Sequence, residues 1–141
     1  MINGIGGVFI FSENPEDLAN WYSKILGIKF DSVENGNTHY TVFWSRDDKR
    51  TERRFDTTFA IMKAKISFPK EKNNQQKNDM YGDRKVMINL RVDAMELLLL
   101  QLKAQNIKIL DEVDEGYGLF SWIHDPDGNR IELYQPVRDD Y

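Results

Sequence analysis

The stretch Val8-Phe9-Ile10-Phe11-Ser12-Glu13-Asn14-Pro15-Glu16-Asp17-Leu18-Ala19-Asn20-Trp21-Tyr22-Ser23-Lys24-Ile25-Leu26-Gly27-Ile28-Lys29-Phe30 carries three elements in one short segment. Val8 to Phe11 is strand-like. Asn14 supplies a side-chain oxygen able to accept from the free amides of a first helical turn, and Pro15 suits the first helical position, where an N–H has no partner anyway. Leu18, Trp21, Tyr22, Ile25 and Leu26 recur at the helical period, which predicts a helix to about Leu26 that docks its apolar stripe on a sheet. Gly27 tolerates the left-handed conformation that ends a helix. Ile28-Lys29-Phe30 then starts a new strand.

The same order returns from Val86. Met87-Ile88-Asn89-Leu90-Arg91-Val92 reads as a strand, Asp93 opens a helix to about Gln105, and Asn106-Ile107-Lys108-Ile109 begins the next strand. At one constant offset Asn14 aligns with Asp93, Gly27 with Asn106, and Ile28-Lys29 with Ile107-Lys108. The aligned types share physical roles: Asn and Asp cap helix starts, and Gly and Asn both accept a positive φ. Asp93 and Glu96 have capping-box spacing. Met95, Leu98, Leu99 and Leu102 form the second helical stripe, with Leu97 and Leu100 widening it.

Strands follow each helix. Lys29 to Val33 leads into Glu34-Asn35-Gly36-Asn37, whose Asn-Gly pair suits a tight hairpin turn, and Thr38 to Ser45 returns rich in β-branched and aromatic residues. Thr57 to Met62 closes the first half. In the second half come Ile107 to Val113, a turn near Gly116, Gly118 to His124, the turn Asp125-Pro126-Asp127-Gly128-Asn129, and Arg130 to Gln135. Each half therefore reads strand, helix, strand, strand, strand. Pro69 to Lys85 between them has no periodicity and almost no apolar content, so a mobile linker is expected, with Met80-Tyr81-Gly82 placed to fold back over a site.

With 141 residues the chain is expected to form one domain, 1–141, made of module one at 1–68, the linker 69–85 and module two at 86–141. Halves of about 70 residues bury a marginal core alone. The absence of cysteine excludes disulfides, thiolate metal sites and a catalytic thiol. A net charge of −4 argues against sequence-independent nucleic-acid binding, which needs excess Lys and Arg against phosphates. Arg46 to Arg54 is locally basic, but Asp47, Asp48 and Glu52 interleave, so it reads as a solvated loop between strands; a regulatory or immunity-type partner on this loop is a weaker reading. Met1 to Gly7 lacks a basic region followed by an apolar stretch, and no apolar run approaches the roughly 18 residues that span a bilayer. A cytoplasmic protein without a membrane segment is expected.

The two βαβββ halves, the opening Gly6 to Tyr22 with Leu26-Gly27-Ile28, and the closing Asp125-Pro126-Asp127-Gly128-Asn129-Arg130-Ile131-Glu132-Leu133 together resemble the vicinal oxygen chelate superfamily, which includes glyoxalase I, bleomycin-resistance proteins, fosfomycin-resistance transferases and extradiol dioxygenases. The resemblance implies an α+β fold in which two βαβββ modules form a curved mixed-sheet cup around the site, and a homodimer as the usual assembly. A fold shared by several chemistries does not choose among them.

Metal-dependent members of that superfamily hold a divalent ion with His, Glu or Gln on the first strand of each half and the last strand of each half. By that resemblance only Glu132 fills its position here; the others fall at Gly7 or Val8, at Val86 or Met87, and around Met62, Lys63 and Ala64, none of which ligates. One carboxylate does not hold a metal usefully, so no cofactor is expected, with a divalent metal as the alternative. Glu132 shares a strand face with Arg130 and Tyr134. It is either an ion-pair partner of Arg130 or a group facing the cup, where desolvation would raise its pKa and suit it to hydrogen bonding or proton transfer; it is the one candidate catalytic residue. His39 and Phe43 lie on one face of their strand and Trp44 on the other. His39, Phe43, Trp44, Trp122 and Tyr134 are the candidate ligand-binding residues, because flat rings with a few polar groups suit a small organic molecule. The leading expectation is a metal-free binding protein closer to the bleomycin-resistance group. The alternative is a metal-dependent lyase, isomerase or dioxygenase.

Overall fold

A computed structural model of the chain describes residues 1–69 and 84–137. The architecture is α+β, with two four-stranded mixed sheets and one α-helix beside each. The chain divides into two compact units, Met1–Pro69 and Lys70–Tyr141. The segment read as a linker lies outside the described residues except at its ends, and Met80-Tyr81-Gly82 lies outside them entirely.

In the first unit β1 (Gly7–Ser12) is followed by α1 (Pro15–Leu26), β2 (Asp31–Val33), β3 (Thr38–Arg46) and β4 (Arg54–Lys63), and the sheet order is β1-β4-β3-β2. β1 runs parallel to β4, and the other pairs are antiparallel. Because side chains alternate along a strand, one face carries Phe59 and Ile61, which with Leu18, Tyr22 and Ile25 of α1 form the buried core. The Tyr22 and Phe59 rings meet edge-on at 5.4 Å. Phe9, Phe11 and Trp44 stand on the other face and are exposed.

The second unit repeats the plan. β5 (Ile88–Arg91), α2 (Met95–Ala104), β6 (Asp111–Asp114), β7 (Gly118–His124) and β8 (Arg130–Pro136) give the order β5-β8-β7-β6, with β5 parallel to β8. Ile123, Ile131 and Leu133 on one face are buried, as are Met95 and Leu102 of α2.

The helix ends show how far local chemistry decides the fold. Gly27 has φ 71° and its N–H returns to the Ser23 carbonyl, and Asn106 at the matching place has φ 61°. The starts differ from the sequence expectation. Asn14 does precede α1, but its side chain makes no cap bond. α2 begins at Met95 with Ala94 at the cap, not Asp93, because the Met95 amide is accepted by the Gln135 side-chain oxygen at 2.6 Å, from a strand 40 residues away. Leu97 and Leu100 do not widen the buried stripe of α2; both are exposed. β2 and β6 are shorter than expected, and Asn35 and Gly36 take positive φ in the hairpin turn between β2 and β3. Among the described residues no helix is long and apolar enough to cross a membrane.

Candidate functional site

α2 covers one face of the second sheet, so chemistry is left to the other. Pairing across this sheet sets Asn89 of β5, Glu132 of β8 and Trp122 of β7 in one row, and Arg91, Tyr134 and Phe120 in the next. Paired residues in a sheet point to the same side. All six therefore share the face away from the Ile131 and Leu133 core.

Glu132 is half-buried at the centre of this face, and each of its oxygens accepts one N–H. Asn89 Nδ2 donates to Oε1 at 2.6 Å, and Trp122 Nε1 donates to Oε2 at 2.9 Å. These bonds fix the carboxylate plane. Trp122 is only 1% exposed, so its ring is the packed back of the site and its indole N–H has no access to water. The ring surface open to a ligand belongs to Phe120 and Tyr134, which are half-buried. Their rings stack at 4.9 Å and 18°, and Phe120 lies parallel to Trp122 at 6.3 Å. Gly118 makes room for this arrangement, since a Cβ there would lie 2.4 Å from Tyr134 Cε2 and 3.2 Å from Phe120 Cε2.

The turn that leads into β8 is held by Asp125. Its Oδ1 accepts from the backbone amides of Asp127 and Asn129, and its Oδ2 from the Asn129 side chain. Gly128 in this turn has φ 85°. The turn thus fixes where β8 begins and so where Glu132 stands.

The candidate residues of the first unit are arranged differently. His39 is buried in register with Ile61, on the face toward α1, and its Nε2–H donates to the Gly36 carbonyl at 2.9 Å. That bond ties β3 to the turn before it. Phe43 shares His39's face and is exposed. Trp44 stands on the opposite face, where the guanidiniums of Arg46 and Arg54 lie 5.4 and 5.3 Å from its ring centre. The loop from Arg46 to Arg54 closes the β3–β4 hairpin, with Arg50 paired to Glu52 and Arg54 to Asp56. Trp122, Glu132 and Tyr134 are thus brought together in one unit, while His39 and Phe43 share the opposite face of the first sheet from Trp44. Asn89 and Arg91 join this face without having stood out in the sequence. The available signal was the alternation Ile88-Asn89-Leu90-Arg91, two polar side chains on one face of a first strand.

Residues 4–133 match the Glyoxalase/Bleomycin resistance protein/Dioxygenase superfamily. The chain belongs to that superfamily. Solved structures with the same fold include a glyoxalase/dioxygenase from Nostoc punctiforme, at 15% identity and TM-score 0.66 over 96% of this chain and 92% of that one. A virulence protein from Salmonella typhimurium is 15% identical, with TM-score 0.63 over 97% and 99% of the two chains. A lactoylglutathione lyase from Agrobacterium tumefaciens is 11% identical, with TM-score 0.60 over 95% and 94%. Among curated proteins no relative matches the chain.

Metal-dependent chemistry in this superfamily needs a converging ligand set, and strand register tests the donors in place. The first-strand residue beside Glu132 is Asn89, two positions beyond Met87. In the first unit the β1–β4 pairs on the face away from Phe59 and Ile61 are Gly7 with Thr58, Phe9 with Ala60 and Phe11 with Met62, and none of them offers a carboxylate or an imidazole. Among the described residues no group of three or more His, Asp or Glu side chains gathers. Beside Glu132 the second unit offers one neutral amide, and the carboxylate already accepts two hydrogen bonds, a donor set that does not fit a divalent ion.

Proposed function

We propose that this superfamily member binds a small organic molecule on the open aromatic face of its second unit, without a resident metal. In this reading it stands closer to the bleomycin-resistance members than to the lyases. The observation that carries the reading is the engagement of Glu132 by Asn89 and Trp122 beside the Phe120–Tyr134 stack. A carboxylate fixed in this way keeps lone pairs directed outward for a ligand N–H or O–H, while the flat rings supply contact area with little loss of side-chain freedom. Glu132 is then a recognition group, Tyr134 and Phe120 the platform, and Trp122 the wall behind them. Pairing of two copies belongs to the same reading, supported by the large exposed rings Phe9, Phe11 and Trp44, and so does a cytoplasmic location.

Metal content of protein purified without chelators tests this function. The expected result is divalent metal far below one equivalent per chain, unchanged in a Glu132→Ala variant. Near-stoichiometric metal that disappears with Glu132 would overturn it in favour of a metal-dependent lyase, isomerase or dioxygenase.

A further inference from the structure

Arg91 stands on the open face of the second sheet, in register with Tyr134 and one step from the Asn89–Glu132 pair. It is exposed and has neither an ion pair nor a hydrogen bond among the described residues. Glu132, one row away, forms no ion pair with it among the described residues; its two oxygens accept from Asn89 and Trp122. Neighbouring strands lie about 4.8 Å apart. A planar ring lying on Tyr134 is one strand away from β5, and the residue paired with Tyr134 on β5 carries a guanidinium. Arginine recognises carboxylate and phosphate oxygens through paired N–H donors, and it packs against aromatic faces as well.

We infer that the ligand class of this site is a planar aromatic anion, its ring on Tyr134 and Phe120 and its acidic group on Arg91. This rests on the ligand-binding reading and adds the charge of the ligand to it. Two sources of that charge, a carboxylate and a phosphate, share the chemistry that Arg91 reads.

The test is a titration followed by amide resonances, with 2-naphthoate, 2-naphthyl phosphate and neutral 2-naphthamide as probes on the full chain and on Arg91→Gln. The expected result is perturbation of β5 and β8 amides, with at least one anion binding about tenfold tighter than the amide, the size of one charge-assisted hydrogen-bond pair. The tighter anion identifies the source of charge. In Arg91→Gln the ratio of anion to amide affinity is expected to fall to about one, and in Tyr134→Ala all three probes weaken. A ratio that survives Arg91→Gln, or equal binding of all three probes by the native chain, overturns the anion inference and leaves the binding reading standing. Absence of binding by every probe, or shifts confined to residues away from β5 and β8, overturns both.

Discussion

Replacing Glu132 separates a carboxylate that organises the site from one that acts through its charge. In Glu132→Ala the Trp122 indole N–H loses its acceptor while the residue remains 1% exposed. A buried donor left without a partner costs about 1–3 kcal/mol. The Asn89 amide loses its partner too, but Asn89 is exposed and regains one from water. The expected loss is about 2 kcal/mol, which for a chain of this size lowers Tm by about 6–8 °C. Glu132→Gln keeps an oxygen for Trp122, and the Asn89 amide can turn its own oxygen toward the new amide N–H. Its expected loss is below about 1 kcal/mol, since the bond to a charged acceptor becomes a neutral one. Urea unfolding of both variants measures these values, and the indole resonances show which tryptophan changes. Equal destabilisation by Gln and Ala would refute the reasoning, because it would mean that the charge, and not the acceptor geometry, holds the site together. A native-like Ala variant would refute it as well.

Gly118→Ala places a methyl group against the Tyr134 ring, at 2.4 Å before relaxation. The ring must swing off the Phe120 stack, for a net loss of about 1 kcal/mol in thermal unfolding and a change in Tyr134 ring proton shifts; unchanged shifts would count against the packing described. Asp125→Ala removes three hydrogen bonds from the turn before β8 and is expected to lose about 2–3 kcal/mol in urea unfolding, with Asp125→Asn losing less. Full stability in the Ala variant would show that the turn does not need the carboxylate. His39→Leu removes the bond to Gly36, with an expected loss of about 1 kcal/mol and no effect on 2-naphthoate affinity. A loss of affinity without a loss of stability would place His39 at a ligand instead.

The βαβββ plan was legible because its signals are local. Apolar stripes at the helical period, Pro15 at a helix start, and Gly27 and Asn106 at matched helix ends each act within a few residues of themselves. What depends on distant pairing was not legible. Gln135 caps α2 from 40 residues away, so the helix starts at Met95 instead of following Asp93. The row Asn89–Glu132–Trp122 exists only once β5, β8 and β7 pair in one register, and a one-residue slip would turn each side chain to the other face. For that reason the first-strand neighbour of Glu132 could not be read from the motif; pairing sets Asn89 there, two residues beyond Met87. The face of β3 that meets α1 was open in the sequence. Pairing with Ile61 sets His39 on it and leaves Trp44 on the other. Glu132 could be singled out from its motif alone, but its partners could not.

The central claim is that Glu132 and the rings around it are built for an organic ligand and not for a metal. The most direct test follows the Trp122 indole N–H resonance, assigned by its shift in Glu132→Gln, through titrations with 2-naphthoate and with Mn²⁺. The account predicts that the resonance moves saturably with 2-naphthoate and keeps its intensity at one equivalent of Mn²⁺. Selective loss of that resonance at one equivalent of Mn²⁺, with no response to 2-naphthoate, would contradict it.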